Sequence, residues 1–145
     1  MQGSSQPILL IVDDNADCRL ILTTFLTHHG YECVEAENGA AALALLPLHA
    51  IDLILLDYQM PNMNGCEFLE ELTRTVDQPP PTVMLTGNVL AYVWKRALNA
   101  GAKAVLSKPY EKTTILTVVR DQLYPGIEGR ERVFDGGTSL LCRAP

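Results

Sequence analysis

The stretch LILLDYQMPNMNG, residues 53–65, carries the clearest structural signal in this chain. Its first four residues are apolar without alternation, which is typical of a strand buried on both faces of a parallel sheet. The run stops at Asp57, and the loop that follows is rich in proline, asparagine and glycine, which favour turns. Asp57 therefore lies at the exit of a buried strand, where a carboxylate can be solvated, bind a metal or act as a nucleophile.

The composition limits the class of protein. A chain of 145 residues with 48% hydrophobic and 19% charged residues is typical of one globular domain with a tail. Its net charge of −6 argues against a broad basic surface for nucleic acid or an anionic membrane. The apolar runs fall short of the roughly 20 residues that span a bilayer, and the first residues do not resemble a secretory signal. We expect a cytoplasmic protein with four reduced, widely spaced cysteines.

Five β-prone apolar segments alternate with five segments of helical periodicity along the chain. The predicted strands are 7–12, 31–36, 51–56, 82–85 and 102–106, and the predicted helices are about 15–29, 39–46, 65–74, 89–99 and 113–123. Such alternation predicts an α/β fold, a doubly wound five-stranded parallel sheet with helices on both faces. With the strand order 2-1-3-4-5, ligands bind at the carboxyl ends of the first and third strands.

Four of the five predicted strands end at polar side chains that can act together. Asp13 and Asp14 follow the first strand, Asp57 the third, Thr86 the fourth and Lys108 the fifth. Three neighbouring carboxylates repel one another, so that this rim predicts a cation. A ligand set of oxygens without histidine or thiolate suits a hard ion, and a shallow rim that leaves water on the metal suits Mg²⁺ better than Ca²⁺.

Mg²⁺ at such a rim points to a phosphate-bearing partner. A carboxylate can attack a phosphoryl group and form an aspartyl phosphate while the metal neutralises charge on the transferring oxygens. The Lys108 ammonium and the Thr86 hydroxyl can take the remaining phosphoryl oxygens.

Four blocks in this order resemble the receiver domain of two-component response regulators, of the single-domain type found in chemotaxis regulators. The blocks are Asp13-Asp14, DYQMPNMNG at 57–65, Thr86-Gly87 and Lys108-Pro109. The resemblance covers about residues 7–123 and implies a flavodoxin-like fold. We predict an N-terminal extension over 1–6, a receiver domain over 7–124 and a tail or linker over 125–145.

The resemblance implies a role for each residue at the rim. Asp57 would be the phosphoacceptor, Asp14 a direct Mg²⁺ ligand and Asp13 a ligand through water. The backbone carbonyl of Gln59 would be a further ligand. Thr86 would turn onto the phosphate once it is present.

At the fifth strand, the resemblance implies that Lys108 contacts the phosphate and that the Lys108-Pro109 bond is cis. The side chains of Gln59 and Asn88 would tune autodephosphorylation. Trp94 could belong to the core by its helical spacing, whereas the resemblance places it on a partner-binding face. Tyr110, directly after the Lys-Pro pair, would flank the pocket or pack under the last helix.

One position departs from the family pattern. Receivers usually carry an aromatic residue three positions before the lysine, and here that position is Val105. We hypothesise that the smaller side chain keeps the face formed by the fourth helix, fifth strand and fifth helix close to one state, or that another residue reports phosphorylation.

The resemblance also implies partners. A histidine kinase or histidine phosphotransfer protein would donate the phosphoryl group, and a downstream protein effector or a second copy of the chain would receive the signal, without nucleic acid or membrane. Three alternatives stay open: a binding module independent of phosphorylation, a receiver segment of a hybrid histidine kinase, and a phosphohydrolase. Phosphohydrolases with an aspartyl intermediate usually carry a second aspartate where this chain has Gln59.

The tail contains a tetrapeptide with two interpretations. Residues 127–130, IEGR, match the recognition sequence of a coagulation protease that is used to remove tags, although the sequence can also be native. Apolar residues beyond it indicate docking on the domain or on a second copy.

Overall fold

A parallel sheet forms the centre of this computed structural model, which describes residues 6–87, 90–125, 131–135 and 139–143. Its first five strands are β1 (Ile8–Val12), β2 (Glu32–Ala36), β3 (Leu53–Asp57), β4 (Thr82–Thr86) and β5 (Ala104–Ser107). They are all parallel and follow the order 2-1-3-4-5, which confirms the predicted topology. The carboxyl ends of β1 and β3 therefore lie side by side.

Five α-helices connect or follow these strands. They are α1 (Ala16–His28), α2 (Gly39–Leu45), α3 (Gly65–Thr75), α4 (Ala91–Ala100) and α5 (Lys112–Leu123). A short 3₁₀ turn at Leu46–Leu48 follows α2, with Pro47 in its first turn. Within the ranges given above, no helix has the length and apolar character needed to cross a membrane.

Asparagine side chains begin three of the helices. Asn15, Asn38 and Asn64 each accept a hydrogen bond from the backbone three residues further on, at 3.0, 2.8 and 2.9 Å. The Glu67 side chain accepts from the Asn64 backbone in return, which completes a capping box at α3. Each such cap stabilises a helix by about 1 kcal/mol. Two of these caps lie in the loops directly beyond β1 and β3, so that the caps also order these loops.

The sheet has a separate apolar core on each face. Along β3, Leu53 and Leu55 enter the core formed with α1 and α5, whereas Ile54 and Leu56 enter the core formed with α2, α3 and α4. All four side chains are fully buried. This two-sided burial explains why the strand is apolar without alternation, since successive side chains of a strand point to opposite faces.

Two further strands extend the sheet beyond the predicted five. β6 (Glu131–Asp135) pairs in parallel with β5, and β7 (Ser139–Arg143) pairs antiparallel with β6. The described sheet therefore has seven strands, and a segment interpreted as tail or linker contributes two of them. The tetrapeptide at 127–130 lies outside the described residues.

Gly65 allows α3 to begin directly against the end of β3. Its amide donates to the Tyr58 carbonyl at 2.7 Å. A Cβ at this position would lie 2.6 Å from Sδ of the buried Met84 and 3.0 Å from the Asp57 carbonyl oxygen. A Cβ would therefore displace the buried Met84 side chain and press against the backbone at Asp57. These contacts favour glycine at this position on steric grounds.

We predict that Gly65→Ala lowers the free energy of unfolding by about 1–3 kcal/mol, the usual cost of overpacking a core. Alanine at a helical position otherwise stabilises by roughly 0.5–1 kcal/mol relative to glycine, so that a loss is diagnostic of the steric conflict. Urea unfolding followed by circular dichroism measures it. Gly87→Ala is the matched control because, chain neighbours aside, no atom of the described residues lies within 4 Å of the added Cβ. Equal stabilities of the two variants would contradict the prediction.

Candidate functional site

Three carboxylates meet at the carboxyl ends of β1 and β3. Asp13 and Asp14 directly follow β1, and Asp57 is the last residue of β3. The two strands pair up to Val12 and Leu56, which brings the acids side by side. One oxygen from each carboxylate lies within 4.8 Å of the others. The structure thus assembles the acidic cluster that the strand ends predict.

Asp13 is buried and held through both its amide and its side chain. It is only 3% exposed, and its amide donates to the Ala36 carbonyl of β2 at 3.1 Å. Its Oδ1 accepts a hydrogen bond from the Asn15 amide at 2.9 Å. Asp14, by contrast, is exposed to solvent. The pair therefore presents one buried and one accessible carboxylate.

Asp57 is buried beside an open depression that its neighbour Tyr58 helps to line. The exposed fraction of Asp57 is 6%, and the next residue donates its amide to the Leu85 carbonyl of β4 at 2.9 Å. Gln59 is exposed and, with Asp14 and Asn64, lines the depression beside the acids. The backbone at Asp57 is thus anchored to the sheet, while the depression beside it is open to solvent.

Lys108 supplies a cation to the cluster. Its Nζ lies 2.8 Å from Oδ1 of Asp57 and 3.6 Å from Oδ2 of Asp13. Its amide donates to the carbonyl of the buried Thr86 at 2.8 Å, so that the ends of β4 and β5 are joined. The Lys108-Pro109 peptide bond is cis, in agreement with the resemblance.

Negative charge dominates the electrostatics of the site. Burial is the largest influence on the pKa of Asp57 and raises it; the hydrogen bond and charge of Lys108 lower it, the Asp13 and Asp14 carboxylates raise it, and the net shift is upward. Burial lowers the pKa of Lys108, but the hydrogen bond to Asp57 and the charges of Asp57 and Asp13 outweigh this effect, so that its pKa is raised. The pKa of Asp57 therefore rises chiefly because its carboxylate is buried, whereas the pKa of Lys108 rises because carboxylates surround its ammonium. The site therefore favours an added cation or proton.

The donor set fits a hard metal ion. Asp13, Asp14 and Asp57 offer carboxylate oxygens that converge within one ion's reach, and one of the three residues is open to solvent. Oxygen ligands of this kind are those that Mg²⁺ and Ca²⁺ prefer, whereas zinc sites usually contain histidine or cysteine. The acidic cluster could therefore hold a divalent cation.

The remaining predicted residues pack against the two cores or lie outside the described ranges. Val105 is fully buried in the core beneath α2, α3 and α4. Trp94 is half-buried and packs against the same core. Tyr110 packs against the opposite core, and burial raises its pKa to about 12. Asn88 lies outside the described residues.

One residue near the site was missed by the sequence analysis. Arg19 of α1 donates from Nη1 to the Asp13 carbonyl oxygen at 2.6 Å, and its Nε lies 3.1 Å from Oε1 of Glu35 on β2. An arginine in the helix after an acidic pair is a weak signal by itself. Its contact with Glu35 depends on the pairing of β1 with β2, which periodicity alone does not fix.

Known proteins share both the sequence pattern and the fold. Residues 9–120 match the model of the family described as "Response regulator receiver domain". The chain is 34% identical to the chemotaxis protein CheY of Bacillus subtilis over 116 residues, which cover 79% of this chain and 96% of that protein. It is also 38% identical over 102 residues to the sensor histidine kinase RcsC of Salmonella typhimurium, and this match spans 70% of the chain but only 11% of the kinase.

The solved structures agree. The chemotaxis protein CheY4 of Vibrio cholerae superimposes with a TM-score of 0.77 at 29% identity, covering 82% of this chain and all of that one. A CheY-like receiver domain from Methanospirillum hungatei has the same TM-score and identity, and the match covers 82% of this chain and 94% of that one. Receiver domains are signalling modules of two-component systems, and phosphorylation-dependent signalling is typical of them. On the combined evidence of sequence, fold and site, the chain belongs to the response regulator receiver domain family.

Proposed function

We propose that Asp57 accepts a phosphoryl group from a phosphohistidine on a histidine kinase or a histidine phosphotransfer protein. The observation that carries this proposal is the position of the Asp57 carboxylate. It ends a rigid central strand, lies 2.8 Å from the Lys108 ammonium and shares a 4.8 Å cluster with two further carboxylates. A nucleophile, a counter-ion for phosphoryl oxygens and a set of metal ligands are thus combined at one point.

The proposed transfer is a nucleophilic displacement at phosphorus. A carboxylate oxygen of Asp57 attacks the phosphorus, the bond from phosphorus to the imidazole nitrogen breaks, and its electron pair returns to the ring. Lys108 moves its hydrogen bond from the carboxylate to a phosphoryl oxygen, and the Thr86 hydroxyl donates to another. These donors stabilise charge on the phosphoryl group because they are already held at the strand ends.

Mg²⁺ is the proposed cofactor. Asp14 and Asp57 would bind it directly, Asp13 through water, and the Gln59 backbone carbonyl would add a further ligand. When bound, the ion neutralises charge on the transferring oxygens. The oxygen-only donor set and the solvent-open rim support Mg²⁺ over a transition metal.

The output of this domain is proposed to be protein contact. Gln59 and Asn88 would tune the lifetime of the aspartyl phosphate, and Trp94 and Tyr110 would border the surface that a downstream protein or a second copy binds. The chemistry is confined to self-phosphorylation and autodephosphorylation at Asp57. The proposed functional unit is residues 7–124 of a protein that acts in the cytoplasm.

The lengths of the relatives are compatible with two protein contexts for this domain, a separate regulator and a segment of a larger kinase. B. subtilis CheY is matched over 96% of its length, whereas RcsC, a sensor histidine kinase, is matched over only 11%. The domain would work as a separate regulator in the first setting and as part of a hybrid kinase in the second. The proposed chemistry at Asp57 is the same in both.

We predict that incubation with Mg²⁺ and acetyl phosphate adds one phosphoryl group per chain, and that Asp57→Asn abolishes the addition because it removes the nucleophile. Intact-mass spectrometry measures it. Asp77→Asn, a change of the same kind at an exposed position, should be phosphorylated like the wild type. A chelator should prevent the reaction in every variant. Phosphorylation of Asp57→Asn at the wild-type level would contradict the proposal.

The raised pKa of Asp57 predicts how stability depends on pH without metal. The folded state holds the Asp57 proton more tightly than the unfolded state, so that this stabilisation is complete below about pH 4 and is lost as the pH rises through the raised pKa. In a chelator, Asp57→Asn should therefore melt above the wild type at pH 7, and the difference should shrink towards pH 4. Thermal unfolding at several pH values measures it.

Added Mg²⁺ is the control for this prediction. It should raise the melting temperature of the wild type at pH 7 more than that of Asp57→Asn, since the ion neutralises the carboxylate that the variant lacks. A wild type that melts above Asp57→Asn throughout the pH range in chelator would contradict the electrostatic account.

Val105 predicts a limited structural response to phosphorylation. Its short side chain is fully buried and cannot swing between an inward and an outward position as a large aromatic side chain can. We expect a phosphoryl analogue to shift the amide signals of Asp57, Thr86 and Lys108 strongly and those of α4 weakly. Two-dimensional NMR measures both sets in one experiment. Large shifts throughout α4 would refute this version of the hypothesis.

A further inference from the structure

Both peptide groups of Asp13 are tied to β2. Its amide donates directly to the Ala36 carbonyl, whereas its carbonyl accepts from Arg19, which in turn is paired with Glu35. Glu35 and Ala36 are neighbours on β2, opposite Ile11 and Val12 of β1. The turn that carries the acidic pair is thus anchored to one strand through two separate connections.

The Arg19 contact acts on Asp14 through the peptide bond. The Asp13 carbonyl and the Asp14 amide belong to one planar peptide group. A hydrogen bond that holds the carbonyl therefore also fixes the orientation of the Asp14 amide and the position of its Cα. Among the described residues, no hydrogen bond or ion pair holds the exposed Asp14 carboxylate itself. The direction of that carboxylate therefore depends on the backbone that Arg19 holds.

The charge of Arg19 is already balanced. Its side chain is 15% exposed and its Nε lies 3.1 Å from the Glu35 carboxylate, so that it adds little positive charge to the acidic cluster. Lys108 differs, because its ammonium contacts the acids directly. The planar guanidinium of Arg19 binds two partners at once, the Asp13 carbonyl and the Glu35 carboxylate, through two different nitrogens. A lysine ammonium reproduces this geometry poorly. These features separate a positioning role from a neutralising role.

We propose that Arg19, held by Glu35, is a positioning residue that sets the Mg²⁺ affinity of the Asp13 and Asp14 pair. This inference rests on the proposed function, since it assumes that the acidic cluster takes up Mg²⁺. Groups that orient metal ligands without touching the metal typically change its affinity by 10–100-fold when they are removed. Arg19 is such a group for a turn that contributes two ligands.

The test is Mg²⁺ titration of the full chain by isothermal calorimetry, with unfolding in chelator measured on the same samples. We expect Arg19→Ala to weaken Mg²⁺ binding by about 10–100-fold. Arg19→Lys should recover part of the affinity, because an ammonium can reach the carbonyl but not both partners in the original geometry. Glu35→Gln should cause a smaller loss, since its amide oxygen still accepts from Arg19.

The matched control is Arg74→Ala. Arg74 also forms an ion pair with a glutamate, Glu71, but it lies on the exposed side of α3 and away from the acids. The Mg²⁺ affinity of the Arg74→Ala variant should equal that of the wild type. A purely structural role for Arg19 would lower stability in chelator and leave the affinity unchanged.

The outcomes separate this inference from the proposed function. If the wild type binds Mg²⁺ and both Arg19→Ala and Glu35→Gln bind it equally well, the positioning role is overturned while the proposed function stands. If the wild type binds no Mg²⁺, the proposed function fails and this inference falls with it. If Arg19→Ala does not fold, Arg19→Lys keeps the test decisive, because wild-type Mg²⁺ affinity in that variant would overturn the positioning role.

Discussion

The carboxylates of Asp13, Asp14 and Asp57 lie within 4.8 Å of one another, and the repulsion between them is the constraint on which the site depends. Gathering like charges at a partly buried position costs free energy, which the apolar cores on both faces of the sheet must offset. Lys108 relieves part of this repulsion but leaves three negative charges facing one positive charge. A site of this kind gains stability from a bound cation, and this gain links its structure to its proposed chemistry.

The fold holds these charges together through rigid elements. β3 is fully buried between β1 and β4, and α3 begins so close to its end that a Cβ at Gly65 would lie 3.0 Å from the Asp57 carbonyl oxygen. Helix caps at Asn15 and Asn64 order the loops that follow the two acid-bearing strands. Arg19 and Glu35 add a second connection from the turn after β1 to β2. The reacting groups therefore lie on short turns that are anchored to the sheet, which favours a preorganised site.

Most of the fold could be predicted because it depends on local signals. Uninterrupted apolar runs indicated the strands, and helical periodicity with asparagine and glycine punctuation indicated the helices to within a few residues. β6 and β7 were not predicted as strands, since β6 pairs with β5 about 28 positions away in sequence, from Ala104 to Arg132. Pairing at that separation depends on how the chain returns to the sheet edge, and neither periodicity nor composition encodes that path directly.

The sequence by itself determined the alternation of strands and helices, and with it the residues that follow each strand. Because parallel strands place their carboxyl ends at one edge, this was sufficient to predict that Asp13, Asp14, Asp57, Thr86 and Lys108 share a rim. Only the tertiary structure decided which atoms meet. Lys108 reaches Asp57 across 51 positions of sequence, Arg19 bonds the Asp13 carbonyl rather than a carboxylate, and Trp94 is half-buried against the core. These contacts depend on strand register and side-chain direction, which are set by packing between segments that are distant in the chain.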